Sequence, residues 1–193
     1  VPRVSEDAQE VARNMASVIG SRIGWDDMET NVMWPGRSLD RIQWSGADLI
    51  LSAAHNSESL SHDLGRLESE SHVMVVGMTQ KEDLSESIEP LLQSDGRIQT
   101  IVTEVHGGRN PSVPAEALSE HLSRNLGEAP LLVPDAIQAI DAASEIAREK
   151  DCVVYVTGSV YLVGQAMEEM VSRGNSNLWE YLETHPPREQ TEV

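Results

Sequence analysis

Two short turns hold the residues best suited to binding chemistry. The first, Ser52-Ala53-Ala54-His55-Asn56-Ser57, directly follows the apolar run Leu49-Ile50-Leu51. That run is long enough for a buried strand and too short for a helix. The small residues allow a tight turn and a close approach by another group, and Asn56 or Ser57 can cap a helix with apolar positions at Leu60, Leu64 and Leu67. Strand, turn and capped helix open a βαβ unit, and the turn falls at the carboxyl end of the strand, where open α/β sheets bind ligands. His55 and Asn56 therefore read either as a polar rim facing a ligand or as an ordinary βα loop in which Asn56 only caps. The second turn, Thr157-Gly158-Ser159, lies between the apolar run Cys152–Val156 and a helical stretch from Val160 to Val171. Free N–H groups and the positive end of a helix dipole converge there, which suits an anion, but a plain turn capped by Ser159 fits equally well.

Other chemistries are missing. Neither lysine, Lys81 or Lys150, stands in a G-x-x-x-x-G-K-[ST] phosphate loop, and no G-x-G-x-x-G occurs. There is no G-x-S-x-G nucleophile elbow. His55 and His62 lie two helical turns apart with no third zinc ligand, and Asp26-Asp27-Met28-Glu29 reads as helix-start acids, so no metal site is expected in this chain. The lone Cys152 excludes an internal disulfide framework and points to a reduced, cytoplasmic setting. The formal charge is −18, from 32 acidic and 14 basic residues. Such a surface disfavours nucleic acid and anionic membranes, whose affinity depends on Lys and Arg. No stretch approaches the roughly 20 apolar residues that span a bilayer, and the N-terminus lacks the apolar core of a signal peptide.

The elements that would position these residues follow from hydrophobic periodicity. Ser5 to Ile19 reads as an amphipathic helix, with Ala8, Val11, Ala12, Met15, Val18 and Ile19 on one face. Trp34-Pro35-Gly36-Arg37 breaks the pattern and marks a domain boundary. Beyond it, continuous apolar strands near Leu39–Trp44, Leu49–Leu51, Val73–Val76, Ile98–Val102, Leu131–Val133 and Cys152–Val156 alternate with amphipathic helices. That alternation predicts an α/β fold, a three-layer sandwich about a mostly parallel sheet. The organisation expected is residues 1–33 as a helix and linker from a preceding domain, 34–172 as the α/β domain, and 173–193 as a polar, partly disordered tail with a short helix at Leu178 to Leu182.

Four pieces then occur in one order: Trp34-Pro-Gly-Arg37; an apolar strand running into Ala54-His55-Asn56; Val75-Val76-Gly77-Met78 followed by Lys81-Glu82-Asp83; and Val156-Thr-Gly-Ser-Val-Tyr-Leu-Val-Gly164. From Trp34 to Met170 the series resembles the C-terminal, Rossmann-like domain of the folylpolyglutamate synthase/dihydrofolate synthase family, within the Mur ligase superfamily. The resemblance implies an ATP-dependent amide ligase of folate biosynthesis, in which a carboxylate is phosphorylated and the amino group of glutamate attacks the acyl phosphate. ATP and Mg2+ would be held mainly by a P-loop ATPase domain that this chain lacks, in the same or a separate chain. The Ser5–Ile19 helix would be the last helix of that domain, and the second substrate a folate-type carboxylate such as dihydropteroate.

The resemblance also assigns residues. Arg37 matches the arginine that neutralises developing phosphate charge. Ser52, His55 and Asn56 match the loop beside the nucleotide, and Lys81 and Ser159 match rim positions that hold a carboxylate of the added amino acid. One departure stands out. The family's Asp-Gly-Ala-His-Asn-Pro, whose Asp accepts from the ribose hydroxyls, reads Ser52-Ala53-Ala54-His55-Asn56-Ser57 here. Ser52 is expected to make one hydrogen bond in place of the charge-assisted acceptor, a loss of about 1 kcal/mol. The alternative is a non-catalytic nucleotide- or partner-binding domain descended from such a ligase.

Overall fold

A computed structural model describes Gly36 and residues 39–67, 70–126 and 129–181. These lie in the compact unit Pro35–Val193. The Ser5–Ile19 helix, the Asp26–Glu29 acids and Arg37 fall outside the described residues.

The sheet begins with a hairpin. Strands β1 (Arg41–Trp44) and β2 (Ala47–Leu51) are antiparallel and pair Trp44 with Ala47 across Ser45-Gly46. Both turn residues have positive φ, 48° and 81°, as a two-residue hairpin turn matched to strand twist demands. Then follow α1 (Ser57–Leu67), β3 (His72–Val76), α2 (Leu84–Leu92), β4 (Arg97–Val102), α3 (Ala115–Leu126), β5 (Leu131–Leu132), α4 (Ala136–Lys150), β6 (Val153–Thr157), α5 (Val160–Ser172) and α6 (Asn177–Tyr181). The six strands are ordered β1-β2-β6-β3-β4-β5, and every pairing except β1–β2 is parallel. The α/β sandwich expected from the alternation is the fold observed.

Burial explains the order. All five residues of β3 and of β6 are buried, because these central strands are covered on both faces. Alternate residues Ile50, Met74, Val76, Val153 and Tyr155 join Leu60, Ile88, Leu91, Leu118 and Leu122 of α1, α2 and α3 in one core. The opposite face receives α4, which contacts β2, β3 and β6 through the small residues Ala136, Ala139, Ala143 and Ala147. Crossovers α1, α2 and α3 step outward on one face, while α4 returns on the other to insert β6 between β2 and β3. The strand order thus reverses at β6, and the carboxyl ends of β2, β6 and β3 form the kind of switch point at which open α/β sheets bind ligands.

The short helix expected at Leu178 to Leu182 is observed as α6 (Asn177–Tyr181). Helix α6 contacts β1 and α5, Leu178 and Tyr181 are buried, and the Tyr181 hydroxyl accepts from Gly36 N at 3.2 Å. Leu178 and Tyr181 are the buried side chains of this five-residue helix.

Candidate functional site at the carboxyl edge of the sheet

Three loops are laced together at this edge by backbone hydrogen bonds. Gly158 N donates to Ala54 O at 3.0 Å, joining the turn after β6 to the loop after β2. Gly77 N donates to Thr157 O at 3.3 Å, joining the loop after β3 to the same turn. Gly158 has φ +100°, and a Cβ there would lie 2.6 Å from Gly77 O, so only glycine lets the two turns approach this closely. Gly36 closes the other flank: its carbonyl accepts from Ala53 N at 2.6 Å, and its φ of +75° again demands glycine. The residue preceding Arg37 is therefore moored one position from Ser52.

His55 is exposed on this rim, and its Nδ1 donates to Ala53 O at 2.9 Å. A carbonyl can only accept, so the proton sits on Nδ1 and Nε2 remains an acceptor in the neutral ring. Asn56 is exposed but serves the backbone: Oδ1 accepts from Ser59 N at 2.9 Å and from Ser59 Oγ at 2.6 Å, capping α1. Ser159 is buried, and its Oγ accepts from Tyr161 N at 3.2 Å as the cap of α5. An acceptor role leaves its hydroxyl proton for another group. Lys81 is half-buried after β3, and desolvation pulls its ammonium below the ordinary lysine value.

Ser52 stands apart from the rim. It is fully buried, and its Oγ donates to Asp63 Oδ2 at 2.6 Å while accepting from Ala54 N at 3.2 Å and from Thr157 Oγ1 at 3.4 Å. One donor and two acceptor positions exhaust a hydroxyl. The Ser52 hydroxyl, expected from the resemblance to lie beside a nucleotide, is turned inward in this structure. Asp63, from the inner face of α1, holds the hydroxyl inward. The Tyr155 hydroxyl is buried beside this group without a hydrogen bond of good geometry, and burial pushes its pKa up to about 12. Nothing in the local pattern around Ser52 announced Asp63, which lies eleven residues away. Helical spacing from Leu60 and Leu67 was the available signal, since position 63 shares their face.

The structure thus brings His55, Asn56, Lys81 and Ser159 to one edge and sets Ser52 beneath it. A second set of loops extends the edge beyond Lys81. Thr79 pairs with Ser112, Gln80 N donates to Pro111 O at 2.8 Å, and Val113 N donates to Met78 O at 2.8 Å. Among the described residues no three His, Cys, Asp or Glu side chains are grouped to hold a metal ion, and no helix is long and apolar enough to cross a membrane.

The family model of the dihydrofolate synthetase C-terminal domain matches residues 37–169, more than half of the chain. Solved structures agree in fold. E. coli FolC in complex with DHPP and ADP superposes with a TM-score of 0.68 at 22% identity, covering 91% of this chain and 41% of that one. A Mycobacterium tuberculosis folylpolyglutamate synthase complexed with ADP and AMPPCP gives 0.66 at 23% identity, covering 82% and 38%. A bifunctional folylpolyglutamate synthase/dihydrofolate synthase with Mn, AMPPNP and L-glutamate bound gives 0.56 at 22%, covering 73% and 32%. The chain thus spans about two fifths or less of the length of these structures. No curated protein matches it in sequence.

Proposed function

This chain belongs to the dihydrofolate synthetase C-terminal domain family, and from that premise we propose that it is the closing domain of a cytoplasmic ATP-dependent ligase. That ligase joins glutamate to a folate-type carboxylate through an acyl phosphate. The observation that supports the reading is the lacing of the loops after β2, β3 and β6, which carry His55, Lys81 and Ser159, at one end of the sheet by the Gly158–Ala54 and Gly77–Thr157 backbone hydrogen bonds. A P-loop ATPase domain, with residues 1–33 as its last helix and linker, holds ATP and Mg2+. This edge covers them from the other side.

Each residue then has a physical task. Arg37 places a guanidinium fork where charge builds on the transferring phosphoryl group. His55 presents Nε2, held in one tautomer by Ala53 O, to a donor on the nucleotide. Asn56 fixes the entry of α1 and so the aim of His55. Lys81 offers a partly desolvated cation to a carboxylate of the amino acid, and the Ser159 hydroxyl donates to the same group. When bound, Mg2+ with ATP supplies the electrophilic phosphorus. This chain's own groups bind, orient and exclude water.

The test is glutamate-dependent ATP hydrolysis by the protein as encoded, with a P-loop ATPase domain present. Arg37→Ala should lower that rate by at least about tenfold while leaving the fold intact. An unchanged rate removes Arg37 from the mechanism, and no glutamate-dependent hydrolysis in the unaltered protein rejects the ligase reading. A second reading, a non-catalytic partner-binding domain, has one observation in its favour: the Ser52 hydroxyl is wholly engaged inside the protein. It predicts capture of a P-loop ATPase domain with no turnover.

A further inference from the structure

At the amino end of the sheet, away from the carboxyl edge, a serine meets a histidine that the proposed function leaves unused. His72 is the first residue of β3 and is fully buried. Its Nδ1 donates to Glu70 O at 2.7 Å. The carbonyl can only accept, so the ring proton sits on Nδ1 and Nε2 keeps its lone pair. Ser94 Oγ donates to that Nε2 at 3.0 Å. The loop that carries Ser94 is fixed on both sides. Gln93 N donates to Pro90 O at 3.1 Å and ends α2, and Gly96 O accepts from His72 N at 3.0 Å. Arg97 Nη1 reaches back to Leu91 O at 2.5 Å.

This order of groups activates a hydroxyl: nucleophile to base at hydrogen-bond distance, and base to an orienting acceptor on its other nitrogen. A backbone carbonyl stands where a carboxylate often does, and it fixes the tautomer and the ring. Burial supplies the protonation state. Desolvation lowers the His72 pKa, so the imidazole is neutral at pH 7 and able to take a proton. A serine that only satisfied a buried ring would need no opening to solvent, yet Ser94 is half-buried and lines a cleft of about 320 Å³. Leu64 and Gly65 of α1 and Pro90 of α2 line the same cleft. A Cβ on Gly65 would meet nothing within 4 Å, which leaves room beside the serine. Leu64 and Pro90 suit a short apolar group, whereas Asp95 at the rim and the net charge of −18 disfavour an anion.

We propose that Ser94 and His72 are the nucleophile and base of a second site, in the cleft between α1 and α2, which takes the acyl group of a small uncharged ester. Ser94 Oγ attacks the ester carbonyl carbon, and its proton passes to His72 Nε2. The bond from that carbon to the alcohol oxygen breaks, and His72 Nε2 returns the proton to the leaving alkoxide. Water then attacks the acyl-serine and gives a proton to His72 Nε2. The carboxylic acid departs as Ser94 Oγ takes that proton back. Ester and water thus become acid and alcohol, with no oxidant or reductant required. The inference is independent of the ligase reading, since it uses none of the residues at the carboxyl edge.

The experiment treats the full chain with p-nitrophenyl acetate and, separately, with an uncharged alkyl fluorophosphonate. Release of p-nitrophenol is followed by absorbance, and the phosphonyl adduct is located by mass mapping. The adduct should fall on Ser94, and p-nitrophenol release above the buffer rate should drop at least about tenfold in Ser94→Ala. His72→Gln keeps the serine but removes the base, and should lose labelling and release alike. Should His72→Gln fail to fold by circular dichroism, the 15N shifts of His72 in the parent decide. An Nδ1–H tautomer with an unprotonated Nε2 supports the pair, and an Nε2–H tautomer overturns it. Labelling at other residues alone, labelling no faster than in the urea-unfolded chain, or release unchanged in Ser94→Ala would each overturn the proposal.

Discussion

At Ser52 a single buried hydroxyl replaces a carboxylate in the family pattern, and the carboxylate that answers it is Asp63. The pair is mutually fitted. Ser52→Ala should leave Asp63 buried without its 2.6 Å donor and lower stability by about 1–3 kcal/mol, read as a shift in denaturant midpoint. Restoring the family residue should be worse at neutral pH, because Ser52→Asp sets two carboxylates against each other in a buried site. Like charge and burial raise the folded pKa of such a pair above the unfolded value. Stability is then present at low pH and lost as pH rises through the folded pKa. Ser52→Asp should therefore be more stable at pH 5 than at pH 8, and the opposite order would show that Asp63 is not its neighbour.

At the scale of elements, the turn after β6 and the end of β3 show how loops and strands are fixed. Gly158→Ala forces a Cβ to within 2.6 Å of Gly77 O at positive φ. The turn must shift, at a cost of about 2–4 kcal/mol, and the loss of the Ala54 and Gly77 ties should broaden NMR signals from both loops. At the other end of the sheet, His72 is buried in the first position of β3. Its Nδ1 donates to Glu70 O at 2.7 Å, Nε2 accepts from Ser94 Oγ at 3.0 Å, and its ring meets Tyr155 edge-on at 6.0 Å. Desolvation holds its pKa below the usual 6.5. The unfolded chain therefore binds the proton first as pH falls. Stability should decline from about pH 6.5 down to the lowered folded pKa and then level. His72→Gln should remove that segment of the pH profile, as urea melts between pH 4 and 8 would reveal.

Across the whole molecule, distant segments close around Trp44. Its Nε1 donates to Asp141 Oδ1 at 2.7 Å, and the Arg173 guanidinium lies 4.7 Å from the ring centroid. Arg173 also pairs with Asp141 at 2.8 Å and with Glu169 at 2.7 Å. The hydrogen bond from Arg173 holds Asp141 below the usual carboxylate range, and the two acids raise the Arg173 guanidinium. Both side chains of the main pair are more than a third exposed, so solvent screens them. A double-mutant cycle of Arg173→Ala with Asp141→Ala should give a coupling of only about 0.5–1 kcal/mol. For a carboxylate of depressed pKa, that coupling is present above about pH 4 and lost as pH falls through the lowered value. The cluster ties β1, α4 and the end of α5 together at long sequence separation.

How much of this was legible follows from the range of each interaction. Strand and helix positions after Leu39, the α/β class and the family were carried by local periodicity and by short motifs in order. So was the position of the loops that carry His55 and Ser159 at the carboxyl ends of β2 and β6, because the end of a parallel strand fixes where the next residue emerges. The antiparallel entry of β1 was signalled only by Ser45-Gly46. The packing of Leu178 and Tyr181 and the inward turn of Ser52 toward Asp63 depend on neighbours eleven to 145 residues away. Sequence alone determined the elements and the family, since hydrophobic repeat and turn chemistry act over a few residues. Tertiary structure alone decided that the Ser52 hydroxyl turns inward to Asp63 and that Tyr181 docks on Gly36, since those contacts depend on the groups that folding brings alongside.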